Sequence, residues 1–186
     1  MTLFEYLAAG YVLMLSLAVL RAISGVPHAV RPFRRYWIHV VWLLVALGWC
    51  LTAFWAFWPY RHVDWTLLRF LNLLAIPALL YVFISLLVPP DPTVVTSWRD
   101  YFVEVRIPLF VTGALFMVAV ITSNQFTLGV SSLHLSQLGN YFNFGMFIAG
   151  LAFASPRVHA FLAVVFLTVL LPYFFILMAK PDSVFR

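Results

Sequence analysis

Residues 36–58 read YWIHVVWLLVALGWCLTAFWAFW, a run with no Asp, Glu, Lys or Arg, preceded by Arg35 and closed by Pro59. A helix needs about 20 predominantly apolar residues to cross the hydrocarbon core of a bilayer, so this run spans. The whole chain has the same character. Of its 186 residues 65% are hydrophobic and 9% charged, with a mean hydropathy of +1.02. Soluble domains carry about 45–50% apolar and about 25% charged residues. This excludes a soluble domain, a disordered chain and a secreted disulfide scaffold, and leaves a polytopic membrane protein.

Working outward from the run, apolar segments and their punctuation predict six transmembrane helices, at about residues 3–20, 36–58, 67–88, 107–122, 135–154 and 158–178. The fold class expected is an all-α transmembrane bundle forming one domain over residues 1–186. Six spans would use about 120 residues and leave no room for an extramembrane catalytic domain. Arg21 closes the first helix, and Pro89, Pro90 and Pro92 follow the third. The N-terminus has Glu5 where a signal peptide would be basic, so it reads as a retained helix. Residues Ser123–Ser136 hold no charge and suit either a re-entrant segment or a polar loop.

The net charge of +5 comes from 11 basic and 6 acidic residues. Because the basic residues flank apolar runs, they point to topology and anionic lipid headgroups rather than nucleic acid. One side of the predicted bundle receives Arg21, Arg31, Arg34, Arg35, Arg99, Arg106 and Arg157. The other receives Arg61, Arg69, Lys180 and Arg186. The positive-inside rule then places both termini outside. Trp37, Trp58, Trp65 and Trp98 fall near helix ends, as interfacial belts do, whereas Trp42, Trp49 and Trp55 read as packing. Cys50 stands alone inside the long run, so it forms no intrachain disulfide and reads as a small core residue.

Two features suggest movement or assembly. The third and sixth helices each hold a proline, Pro77 and Pro172, followed by an apolar stretch and Pro-Asp. This is compatible with a 3+3 inverted repeat, and each proline is a candidate hinge. In the fifth helix Gly145 and Ala149, and Gly150 and Ala154, stand four apart, a spacing that lets helices approach closely within the bundle or in a homo-oligomer.

Polar groups inside a membrane are costly and mark candidate sites. Glu5 is the one acid within an apolar run. Thr66, Arg69 and Asn72 share a helical face, as do Gln137, Asn140 and Asn143. Thr122, Ser123, Asn124 and Gln125 end the fourth helix. All lie at one level of the predicted bundle. The functional expectation is a solute or ion pathway through Glu5, Arg69, Asn72, Asn140 and Asn143, with Glu5 and Arg69 as a charge pair. The plainer alternative is that the charges snorkel to headgroups and the amides join helices. No cofactor is expected. His39 and His159 are the only histidines placed to ligate a haem from helices, a minor reading. Asp91, Asp100 and Glu104 are too irregularly spaced to favour a divalent-metal site over a solvated loop. No HExxH, GxSxG, Walker A or GxGxxG occurs, so nothing points to an enzyme.

The early Glu5, Arg21 closing the first helix, the basic loop, YWIHVVW at 36–42 and AFW at 53–55 loosely resemble small bacterial inner-membrane proteins of unassigned function over residues 1–90. That resemblance implies a bacterial inner membrane and no activity. The leading expectation is a small channel or transporter. A scaffold, sensor or accessory subunit is the alternative, and a haem- or quinone-binding protein comes third.

Overall fold

A computed structural model describes residues 2–31 and 35–177. Arg34, Lys180 and Arg186, used in the charge count, and the predicted end of the last helix at 178 lie outside them. The described residues form helices joined by short connections, with no strand: α1 (Leu3–Ala29), α2 (Trp37–Trp55), α3 (Leu67–Leu87), α4 (Trp98–Thr122), α5 (Leu135–Ala152), α6 (Pro156–Val165) and α7 (Leu171–Leu177). A 3₁₀ turn, Trp58–His62, follows α2. A π-helical turn, Ser123–Thr127, extends α4. A second π turn, Phe166–Leu170, joins α6 to α7, so the two form one interrupted rod and the bundle has six rods. Four stretches, Leu3–Ala29, Trp37–His62, Leu67–Leu87 and Trp98–Thr127, are long and apolar enough to cross a membrane. This is an integral membrane protein in character. α6 with its π turn is a shorter apolar helix, and the first half of α5 carries buried amides.

Two boundaries differ from expectation, for one reason. Arg21 does not end α1, which runs on to Ala29, because its guanidinium donates to the Val88 carbonyl at 2.7 Å. α4 begins at Trp98 rather than near residue 107, with Ser97 accepting from the Asp100 N–H at 3.3 Å, and it continues through Pro108. Arg106 inside it donates to the carbonyls of Gly150 at 2.9 Å and Leu151 at 3.1 Å. A charge with such a partner interrupts nothing. The unpaired carbonyls at a helix C-terminus are the acceptors best suited to it. Trp98 and Tyr101 of α4 complete the set, donating to His28 O at 3.1 Å and Leu86 O at 2.8 Å. All three helices that end here, α1, α3 and α5, therefore have terminal carbonyls capped by side chains of other helices. This end is the arginine end.

The core is aromatic. Trp42 and Trp49 of α2 lie among Phe83, Phe110, Phe116, Phe147 and Phe166, with ring centroids 4.8 Å apart for Trp42–Phe166 and 5.3 Å for Trp42–Phe110. Such tilted and edge-on pairs suit ring quadrupoles. Trp55 is not part of it, being 42% exposed, while Trp98 is buried rather than belted. α4 and α5 interlock through a repeated pattern, Phe110-Val-Thr-Gly113 against Phe147-Ile-Ala-Gly150. A Cβ on Gly113 would collide with the Phe147 ring, and one on Gly150 with the Phe110 ring. Gly150 is thus taken up inside the chain. Gly145 is exposed with open space before it, and Ala149 is half-buried.

Pro77 is buried within the unbroken helix α3, whereas Pro172 follows a π turn. The two prolines of the suggested repeat therefore sit in different local geometry. A proline removes one backbone hydrogen bond. In α3 the helix closes around that loss; before Pro172 it widens.

Candidate functional site

The opposite end of the bundle collects the buried amides and hydroxyls. Two local features place them. Pro59 in the 3₁₀ turn swings Tyr60 back into the bundle, where it is 3% exposed. The π turn shifts the end of α4 so that Ser123 and Asn124 both face inward. α5 enters with His134 as N-cap, its Nδ1 accepting from the Ser136 N–H at 3.3 Å. The three-residue spacing of Gln137, Asn140 and Asn143 then turns all three to the interior.

The resulting network has a direction. Tyr60 Oη lies 2.9 Å from Ser123 Oγ and 3.4 Å from Asn124 Oδ1. A hydroxyl has one hydrogen and Asn Oδ1 only accepts, so Ser123 donates to Tyr60 and Tyr60 to Asn124. Asn124 Nδ2 donates to Gln137 Oε1 at 3.2 Å, and Asn140 Nδ2 donates to the same oxygen at 2.9 Å. Gln137 Nε2 returns to the Ile121 carbonyl at 3.3 Å. Five side chains from three elements are thereby joined within the bundle. Buried polar groups left unpaired cost about 1–3 kcal/mol each, so such a set is tolerated only when connected.

The network forms one wall of an interior cavity of ≈ 70 Å³. Tyr60, Asn124, Ser136 and Asn140 supply its polar side. Tyr11, Trp49, Leu73, Ile76, Phe116 and Met117 supply most of the rest. No Asp, Glu, Lys or Arg lines it. The volume exceeds the roughly 10–15 Å³ that one water needs.

The structure distributes the residues singled out from sequence among several places. Asn140 lines the cavity. Asn143 is buried one turn further along, its Nδ2 bonded to Gly139 O at 2.9 Å and its Oδ1 without a hydrogen-bond partner. Arg69 and Asn72 line a separate lateral cleft between α3 and α4, where Thr122 donates to Asn72 Oδ1 at 3.0 Å and Arg69 donates to the Asp64 carbonyl. Glu5 is exposed at the start of α1 and forms a capping box with Thr2, accepting from its N–H at 2.8 Å. The five residues therefore occupy three settings. Tyr60 is the member that sequence reasoning passed over, as part of a short connection. The available signal was a tyrosine directly after Pro59, at the level of the amides.

His39 and His159 are both buried at the arginine end, 0% and 3% exposed. The Phe102 ring packs against both, at centroid distances of 6.5 and 5.6 Å, and Trp98 lies 4.5 Å from His39. Among the described residues no three His, Cys, Asp or Glu side chains group as metal ligands. Asp91 instead closes a turn, and its carboxyl is held below the usual range by the Thr93 hydroxyl and then the Thr93 N–H.

Comparison of the chain with protein-family models, curated proteins and solved structures finds no match.

Proposed function

We propose that this chain is a membrane protein that binds, and passes across the bilayer, a small neutral solute that carries hydrogen-bonding groups. The observation that carries the reading is the amide-walled cavity: apolar on most sides, polar on one, and without a charged lining residue. An ion stripped of water there would meet no compensating charge, at a penalty of several kcal/mol. A neutral solute would exchange its water hydrogen bonds for those of Asn140 and Ser136. Glu5 and Arg69 then act outside the cavity, at the capping box and the lateral cleft. The basic excess at the arginine end supports an orientation with that end in the cytoplasm and both termini outside, and the resemblance noted above suggests a bacterial inner membrane.

The test is liposome swelling with purified, reconstituted protein under gradients of glycerol, urea and potassium chloride. Flux of a neutral solute, reduced at least tenfold by Asn140→Leu with the fold intact by circular dichroism, is the expected result. No protein-dependent flux of any of the three leaves the scaffold reading, which the mutual bonding of Asn124, Gln137 and Asn140 also favours. Flux of potassium alone would contradict an uncharged site.

A further inference from the structure

At the arginine end the first residues of α2, α4 and α6 meet around a groove of ≈ 420 Å³, lined by Tyr36, Trp37, Ile38, Arg99, Arg157 and Ala160. Arg99 and Arg157 are each the second residue of their helices. Unlike Arg21 and Arg106, they form no hydrogen bond or ion pair with any described residue. No acid lines the groove. The starts of α2 and α6 have no side-chain cap, so their leading N–H groups add partial positive charge at this end. Two cations from separate helices, unpaired among the described residues, thus share one depression with no acid in its lining.

We propose that this groove seats the phosphodiester headgroup of an anionic phospholipid. Guanidinium forks match phosphate oxygens in charge and in geometry. The remaining lining is what a lipid needs and a free anion does not. Trp37, 48% exposed, is placed as an interfacial indole, and outward-facing Leu44 follows it seven residues on along α2, as Phe161 and Val164 follow Arg157 four and seven residues on along α6. Acyl chains would follow these faces away from the headgroup. The inference rests on the chain's membrane-spanning character and is independent of the cavity at the other end.

The experiment uses the full chain in neutral detergent, titrated separately with dioctanoyl phosphatidylglycerol, dioctanoyl phosphatidylcholine and inorganic phosphate, and read by mass spectrometry of the intact complex. The expected result is one saturable phosphatidylglycerol adduct, at least tenfold tighter than phosphatidylcholine. It should weaken at least tenfold in R99Q/R157Q and stay unchanged in R61Q at the opposite end. Equal binding of both lipids, or wild-type affinity in R99Q/R157Q, overturns the proposal. So does complete displacement of the lipid by equimolar inorganic phosphate, which would mark a free-anion site. Should the double variant aggregate, R99Q and R157Q are read singly. Each is expected to weaken binding at least threefold, and no change in either overturns the assignment.

Discussion

Arg106 carries a full charge halfway into the first turns of an apolar helix, and its setting explains why that is stable. Its guanidinium faces the end of α5, where the carbonyls of Gly150 and Leu151 have no N–H of their own helix to accept. Arg21 does the same for α3 at Val88. A hydrogen bond to a charged group is worth about 1.5–3 kcal/mol net. Arg106→Met keeps the length of the side chain and removes the donors. It should lower unfolding stability by about that amount, 1.5–3 kcal/mol, measured by denaturant titration in mixed micelles. A variant as stable as the parent would show that the contact contributes nothing. Glu5 is the contrasting residue. It was conspicuous as an acid in an apolar run, yet its position three residues after Thr2 is that of a capping box, and the structure forms one.

Between elements, the α4–α5 contact depends on paired absences. Each helix offers a phenyl ring and, three residues later, a glycine that receives the ring of the other. Antiparallel helices carrying the same Phe-x-x-Gly pattern meet both contacts at once, since each ring falls opposite the partner's glycine. Adding a methyl group in such a place forces rings off their rotamers, at about 1–3 kcal/mol. Gly113→Ala should therefore destabilise by about 1–3 kcal/mol, and Phe147→Leu in the same chain should return part of that loss. If the double variant is less stable than the sum of the single changes, the ring is not what the methyl meets. The π turn at Ser123–Thr127 is the other element on which the site depends. One extra residue per turn brings Ser123 and Asn124 to the interior together, and π turns recur at functional sites for this reason.

Over the whole molecule, the two ends are chemically distinct and the middle is aromatic. Two arginines, the Trp98 indole and the Tyr101 hydroxyl cap helices at one end; amides and hydroxyls bond to each other at the other. The apolar side chains left on the outside, such as Leu13, Leu51 and Val118, are exposed in the absence of lipid. Cys50 is buried at 1% exposure where α1 packs on α2. As the single thiol it reports on whether that contact stays closed. Its alkylation by a maleimide should be at least a hundredfold slower in the folded protein than in denaturant, because buried thiols are inert. Rapid labelling under native conditions would mean that the contact opens readily.

The sequence alone determined the membrane character, the helix number and the amide level. Runs of apolar residues have one physical meaning in a chain with 9% charge, and amides three residues apart share a helical face wherever the helix lies. It also identified Asn140, Gln137 and Asn124 as neighbours in height. Which helix stands beside which was decided only by tertiary structure. That is why α1 and α4 ran longer than predicted, since Arg21 and Arg106 end a helix only when no carbonyl from elsewhere receives them. It is also why the expected pathway separated into a capping box, a lateral cleft and an interior cavity. A one-dimensional reading gives depth along the bundle; the direction around each helix, and the 3₁₀ turn that returns Tyr60 inward, come from packing.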